Sequence, residues 1–164
     1  MKKTFLTILL TGIVSFCVSA QAPVRVGGFF GYASDIRQGA LGGIAEFMLN
    51  DKMAISPSLL FYFTEVRPTT KHSWYELNGN FKYYFLNEDV VHLYGLVGLN
   101  FTHFKSRRRS DNEVTFTNGE LGLNMGFGLN FNVSKKVIPF SEMKYIVSDY
   151  DHAALFLGVK VNVN

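Results

Sequence analysis

From residue 120 to residue 131 the chain alternates without a break. Glu120, Gly122, Asn124, Gly126, Gly128 and Asn130 fall in one phase, and Leu121, Leu123, Met125, Phe127, Leu129 and Phe131 in the other. A period of two over this length marks a β-strand, because successive side chains of a strand point to opposite faces. The pattern recurs over 24–32, 41–49, 55–64, 75–85, 91–102, 139–147 and 155–163. Eight strands are predicted. Tight turns fall at Asn50-Asp51-Lys52, Asn87-Glu88-Asp89 and Ser134-Lys135-Lys136, and longer polar connections at 34–39, 65–72, 105–117 and 148–152. Short turns at one end and longer loops at the other are the habit of outer-membrane barrels. Twelve strands of ~10 residues with ~4-residue connections would need about 168 residues, so eight is the number that fits.

Period two does not by itself say which face is inside; a soluble lipocalin-like barrel would turn the apolar phase inward. The polar phase decides. It holds Gly27, Gly31, Gly42, Gly98, Gly122, Gly126, Gly128 and Gly158, with asparagine and serine at many other positions. A water-washed face would carry long charged side chains instead, whereas small residues suit the narrow interior of an eight-stranded barrel. Charges in this phase balance: Glu46, Glu76, Glu120 and Glu142 against Arg25, Lys82, Lys144 and Lys160. Buried charges must be paired, so these eight are the expected interior network. Hairpin arithmetic brings Arg25 near Glu46. A second hairpin, centred near Tyr150, sets Glu142 opposite Gly158 and diagonal to Lys160. The apolar phase has aromatics at both ends, Phe47, Phe85 and Phe131 at one and Tyr32, Phe63, Tyr75, Phe101 and Tyr145 at the other. Two such girdles match the two interfaces of a membrane.

The start of the chain reads as an export signal: Lys2 and Lys3, an apolar stretch from Phe5 to Val18, and a Val18-Ser19-Ala20 cleavage site. Residues 1–20 are expected to be removed, leaving residues 21–164 as one barrel domain that begins at Gln21. The single cysteine, Cys17, lies in the leader, which excludes disulfides, thiol catalysis and thiolate metal sites from the mature chain. Loss of Lys2 and Lys3 leaves 14 basic against 13 acidic residues, so the pI near 9.0 gives no argument for nucleic acid, and none is expected as a partner.

Candidate chemistry is sparse. Ser148, Asp149 and His152 share one loop and make the best available triad for a lipid hydrolase, but a polar loop of turn-forming residues has the same composition. His72, His103 and His152 fall at outer strand ends without metal-ligand spacing, and His92 reads as an interior polar residue. No metal or cofactor is expected. Lys105, Arg107, Arg108 and Arg109 open the longest loop at the height of lipopolysaccharide phosphates, which suit arginine's paired donors; a solvated loop is the plainer alternative.

Across essentially the whole mature chain the sequence resembles the small outer-membrane barrels of the OmpA/OmpX type, the family of eight-stranded outer-membrane β-barrel domains. The likeness is carried by the Tyr94-Gly95-Leu96-Val97-Gly98-Leu99-Asn100 strand, the Pro139-Phe140-Ser141-Glu142-Met143-Lys144-Tyr145 strand and the alternating last strand. Such barrels usually end in an aromatic residue, whereas here the last residues are Val161-Asn162-Val163-Asn164. The resemblance implies an integral protein of the outer membrane of a Gram-negative bacterium, with a filled interior, used for anchoring, adhesion or surface protection. The expected protein is a non-enzymatic monomer that touches outer-membrane lipid, lipopolysaccharide and an extracellular partner. A small diffusion pore and a lipid A-modifying enzyme are the alternatives.

Overall fold

The computed structural model describes residues 23–34, 37–63, 65–66, 70–108, 114–134, 136–149 and 151–163. Among them are eight long antiparallel strands and one short one. These are β1 (Val24–Ala33), β2 (Gln38–Asn50), β3 (Met53–Tyr62), the two-residue β4 (Glu65–Val66), β5 (Thr70–Asn87), β6 (Val91–Arg108), β7 (Val114–Phe131), β8 (Val137–Val147) and β9 (His152–Asn162). Each long strand pairs with its neighbours in sequence, β3 pairs with β5, and the β1–β9 ladder closes the sheet into a barrel. Closure leaves no open sheet edge around the apolar band of the wall, the condition for crossing hydrocarbon with strands. The leader and its cleavage site lie outside the described residues.

Faces follow the alternation. Leu41, Val97, Leu99 and Leu121 are 54%, 60%, 65% and 76% exposed, while Glu46, Glu76, Lys82 and Lys160 are fully buried. Apolar rows this exposed around a whole closed wall would be insoluble in water, so their solvent is lipid. The soluble alternative, with its apolar phase inside, is thereby excluded. The interior is not purely polar. Phe29, Phe140 and Phe156 pack edge to face, with Phe29–Phe156 centroids 5.3 Å apart, and Tyr84 and Tyr94 fill the end nearer the chain termini. Glycine makes room for these rings: a Cβ on Gly128 would stand 2.5 Å from Tyr94 Cζ, and one on Gly42 would run into the Phe29 ring.

Strand length departs from the sequence expectation on one side. Segments 65–72 and 105–117 were expected to be loops, yet β5, β6 and β7 continue into them and reach 18 residues each. Beyond the membrane band the hydrophobic contrast fades, but the hydrogen-bonded ladder does not need it. Thr70 still pairs with Arg108, and Ser106 with Phe116. β8 pairs only with the 123–130 part of β7, so the outer half of β7 has no backbone ladder on that edge among the described residues.

Candidate functional site

Two side-chain networks fill the lumen. The one at the end of the short turns, the periplasmic side in barrels of this kind, is built on Glu46, which accepts from Arg25 Nη1 at 2.9 Å, Lys160 Nζ at 2.9 Å and Lys82 Nζ at 3.3 Å. Four strands supply these groups, because Glu46 projects inward from β2, Arg25 from β1, Lys160 from β9 and Lys82 from β5. Lys82 also reaches Glu142 Oε2 on β8 at 2.8 Å, and Tyr94 OH donates to that same oxygen at 2.9 Å. The Lys82 ammonium lies 4.4 Å from the centroid of the Tyr94 ring. Such multiple contacts are what allow charges to persist away from water.

The network nearer the outside centres on Glu76. Tyr62 OH donates to Glu76 Oε1 at 2.8 Å, and His152 Nε2 lies 3.1 Å from the same oxygen. Asn100 Nδ2 donates to Glu76 Oε2 at 3.1 Å, with Lys144 Nζ at 3.7 Å. Lys144 Nζ, Asn100 Nδ2 and Asn124 Nδ2 all donate to Asn78 Oδ1.

Seven of the eight sequence-predicted charges thus meet in the lumen. Glu120 does not. It is half-buried at the outer rim, where it accepts a hydrogen bond from the Asp149 backbone N–H. The interior therefore holds three carboxylates against four cations, rather than four against four. The partner expected for Glu142 is also corrected. The β8–β9 register sets Glu142 opposite Phe156, not Gly158, and Lys160 opposite Ile138. Lys160 binds Glu46, and Glu142 binds Lys82.

His152 is not a loop residue; it opens β9, is 1% exposed and turns its Nε2 to Glu76 and Tyr62. Ser148 and Asp149 stay at the rim. His72 stacks on Phe104 with centroids 5.5 Å apart, and His92 Nε2 lies 2.8 Å from Asn132 Nδ2 at the periplasmic mouth. Lys105 is half-buried within β6. Arg107 and Arg108 belong to β6 by their backbone, while their side chains and all of Arg109 lie outside the described residues. Among the described residues no three His, Cys, Asp or Glu side chains could hold a metal together. Sequence reasoning missed the roles of His152, Tyr62, Tyr94 and the asparagines; for the tyrosines and asparagines the signal was their inward phase.

The comparisons agree with this architecture. Residues 7–161 match the model of the outer membrane protein beta-barrel domain. No curated protein sequence matches the chain. Among solved structures, the chain is similar to the N-terminal β-barrel domain of Pseudomonas aeruginosa OprF, with a TM-score of 0.71 at 18% identity, covering 87% of this chain and 98% of that one. It is similar to Neisserial surface protein A, with a TM-score of 0.64 at 18% identity, covering 87% and 97%. It is also similar to Ail, the attachment invasion locus protein of Yersinia pestis, with a TM-score of 0.60 at 16% identity, covering 86% and 97%. With a family match over nearly its whole length and a closed wall of lipid-facing strands, the chain belongs to the outer membrane protein β-barrel domain family and resides in the bacterial outer membrane.

Proposed function

We propose that this barrel is a closed, non-enzymatic monomer that works at the cell surface, by adhesion or surface protection, and does not conduct. The observation that carries the reading is the division between lumen and rim. Glu46, Lys82 and Glu142 bridge the lumen side chain to side chain. The gap between Phe29, Phe140, Phe156 and Lys144 has no volume for a water molecule. A cavity of about 250 Å³ opens at the periplasmic mouth and ends on Arg25 and Tyr84. An eight-stranded wall offers little more width than its own side chains occupy.

At the other end, β5, β6 and β7 rise past the remaining strands, and the outer β7 edge has no ladder partner among the described residues. Such an edge suits an extended segment of a partner protein, which alone supplies alternating backbone donors and acceptors. The attachment invasion locus protein Ail, and its complex with the heparin analogue sucrose octasulfate, support a surface role and contact with polyanions. For this chain that contact is assigned to lipopolysaccharide phosphates, through Lys105, Arg107, Arg108 and Arg109. Cleavage after Ala20 belongs to the same reading and is checked by mapping the N-terminal peptide to Gln21.

Planar-bilayer recording on purified, refolded protein tests the closed lumen. No steady single-channel conductance is expected, and reproducible ohmic channels would favour the diffusion pore. Mass spectrometry of lipid A from expressing cells, unchanged by the protein, is the expected outcome for a non-enzyme.

A further inference from the structure

At the end of the short turns the lumen opens into the cavity of about 250 Å³. Pro23, Met48 and Tyr84 give it apolar sides, Asn50 and Asp51 stand at its exposed lip, and Arg25 lies at its floor. Charge at that floor is out of balance. Arg25, Lys82 and Lys160 share two carboxylates, Glu46 and Glu142, so one positive charge is left over. Lys82 and Lys160 are fully buried, whereas Arg25 is 9% exposed and lines the cavity. An anion can therefore meet the excess charge only at Arg25. The arginine Nη1 donates to Glu46 and its Nε to Asn162 Oδ1, while among the described residues no side chain accepts from Nη2. Asp51 does not compensate it. That residue lies five positions past Glu46, the ladder partner of Arg25, or about 17 Å of extended chain. The other basic group of the mouth, His92, is already engaged: its ring meets Tyr84 edge-on and its Nε2 lies 2.8 Å from Asn132 Nδ2.

We propose that this mouth is a binding site for a small organic monocarboxylate arriving from the periplasmic side. Its carboxylate accepts from the Arg25 guanidinium, a charge-assisted contact made at the edge of a low-dielectric interior. Its apolar body lies against Met48, Tyr84 and Pro23. The lining separates this class from its rivals. An inorganic anion would leave the apolar sides facing water, and a neutral molecule would leave the charge at the floor uncompensated. A dianion would meet the like charge of Asp51 at the lip. The site goes beyond the surface role proposed above and does not depend on it, because its ligand enters and leaves by the same mouth.

The test is a proton–nitrogen NMR titration of the refolded barrel in phosphocholine micelles, with butyrate, butanol and chloride as probes. Butyrate is expected to shift the side-chain amide signals of Asn50 and Asn87, both on the cavity lining, to saturation. Butanol and chloride should move them far less. Arg25→Gln should weaken butyrate binding about tenfold, the effect of losing a hydrogen bond to a charged group. Asn50→Trp narrows the lip with every charge in place and should weaken it as well. Lys136→Ala, in a different turn at the same end, should leave it unchanged. Heat-modifiable electrophoretic mobility verifies that each variant is folded, and Asn87→Trp replaces Asn50→Trp if the latter fails this check. The comparison of the three probes on wild-type protein needs no variant. Shifts that do not saturate with butyrate, equal shifts with butanol, or an affinity for chloride as high as for butyrate each overturn the site. Butyrate binding undiminished in folded Arg25→Gln, or weakened equally by Lys136→Ala, overturns it too.

Discussion

Lys82 and Glu142 meet inside the barrel, Nζ to Oε2 at 2.8 Å, although β5 and β8 are separated by β6 and β7 along the wall. Lys82 reaches Glu46 on β2 as well, so one ammonium ties three strands that share no ladder with one another. This is a brace across the lumen rather than a cross-strand pair within the wall. Its loss should be felt on more than one side of the barrel.

Glu142→Ala is expected to cost about 3–5 kcal/mol, because it removes the acceptor shared by Lys82 and Tyr94 and leaves a buried charge short of a partner. Glu120→Ala, at the rim, should cost under about 1 kcal/mol. Urea titration of the barrel in phospholipid vesicles measures both. Equal costs would show that the brace does not carry stability.

The two lumen networks should behave as separate units. Glu46 and Glu142 share Lys82, so Glu46→Gln and Glu142→Gln should couple by about 0.5–3 kcal/mol in a double-mutant cycle. Glu46 binds Arg25, Lys82 and Lys160, whereas Glu76 binds Tyr62, Asn100, Lys144 and His152. Glu46→Gln and Glu76→Gln should therefore add to within about 0.5 kcal/mol. Strong coupling in the second cycle would mean the lumen acts as one network.

Inward and outward glycines should differ sharply. Gly128→Val would drive its side chain into the Tyr94 ring and Ser141 carbonyl, at about 1–3 kcal/mol. Gly79 has no atom within 4 Å of where its Cβ would stand, so Gly79→Val should fall within about 0.5 kcal/mol of wild type. Thermal unfolding in detergent separates them; similar losses would argue against a tightly filled interior.

Charge on the lipid face should cost according to depth. Phe127→Arg, in the middle of the outward row of β7, is expected to destabilise by about 2–4 kcal/mol, and Leu121→Arg, level with the outer girdle residue Phe101, by about 0–1 kcal/mol. The same vesicle titration reads both. Equal tolerance at 121 and 127 would misplace the membrane band.

Part of this molecule is local in origin and was readable as such. Alternation from 120 to 131 sets the inward and outward sides of β7 with no knowledge of its neighbours, because the side-chain period of a strand is two. The aromatic ends of each row mark the membrane limits in the same way. The outer parts of β5, β6 and β7 were not readable, since above the membrane polar and aromatic residues are mixed on both faces and the alternation loses its contrast. His72, Trp74, Phe104 and Phe116 then carry the ring contacts of the protruding sheet, and their spacing alone did not distinguish strand from loop.

The sequence by itself determined the number of strands, the lipid-facing row and the identity of the charges that must be hidden. Only the tertiary structure decided which charge meets which. Glu142 lies opposite Phe156 instead of Gly158, a register change of two residues made by the turn between β8 and β9. Moving an antiparallel register by two keeps every side chain on its own face, so the inside–outside assignment survives any such error. The partners do not survive it. Across the lumen they depend further on barrel width and on the height at which each strand enters the membrane. These are properties of the closed wall, and no single strand encodes them.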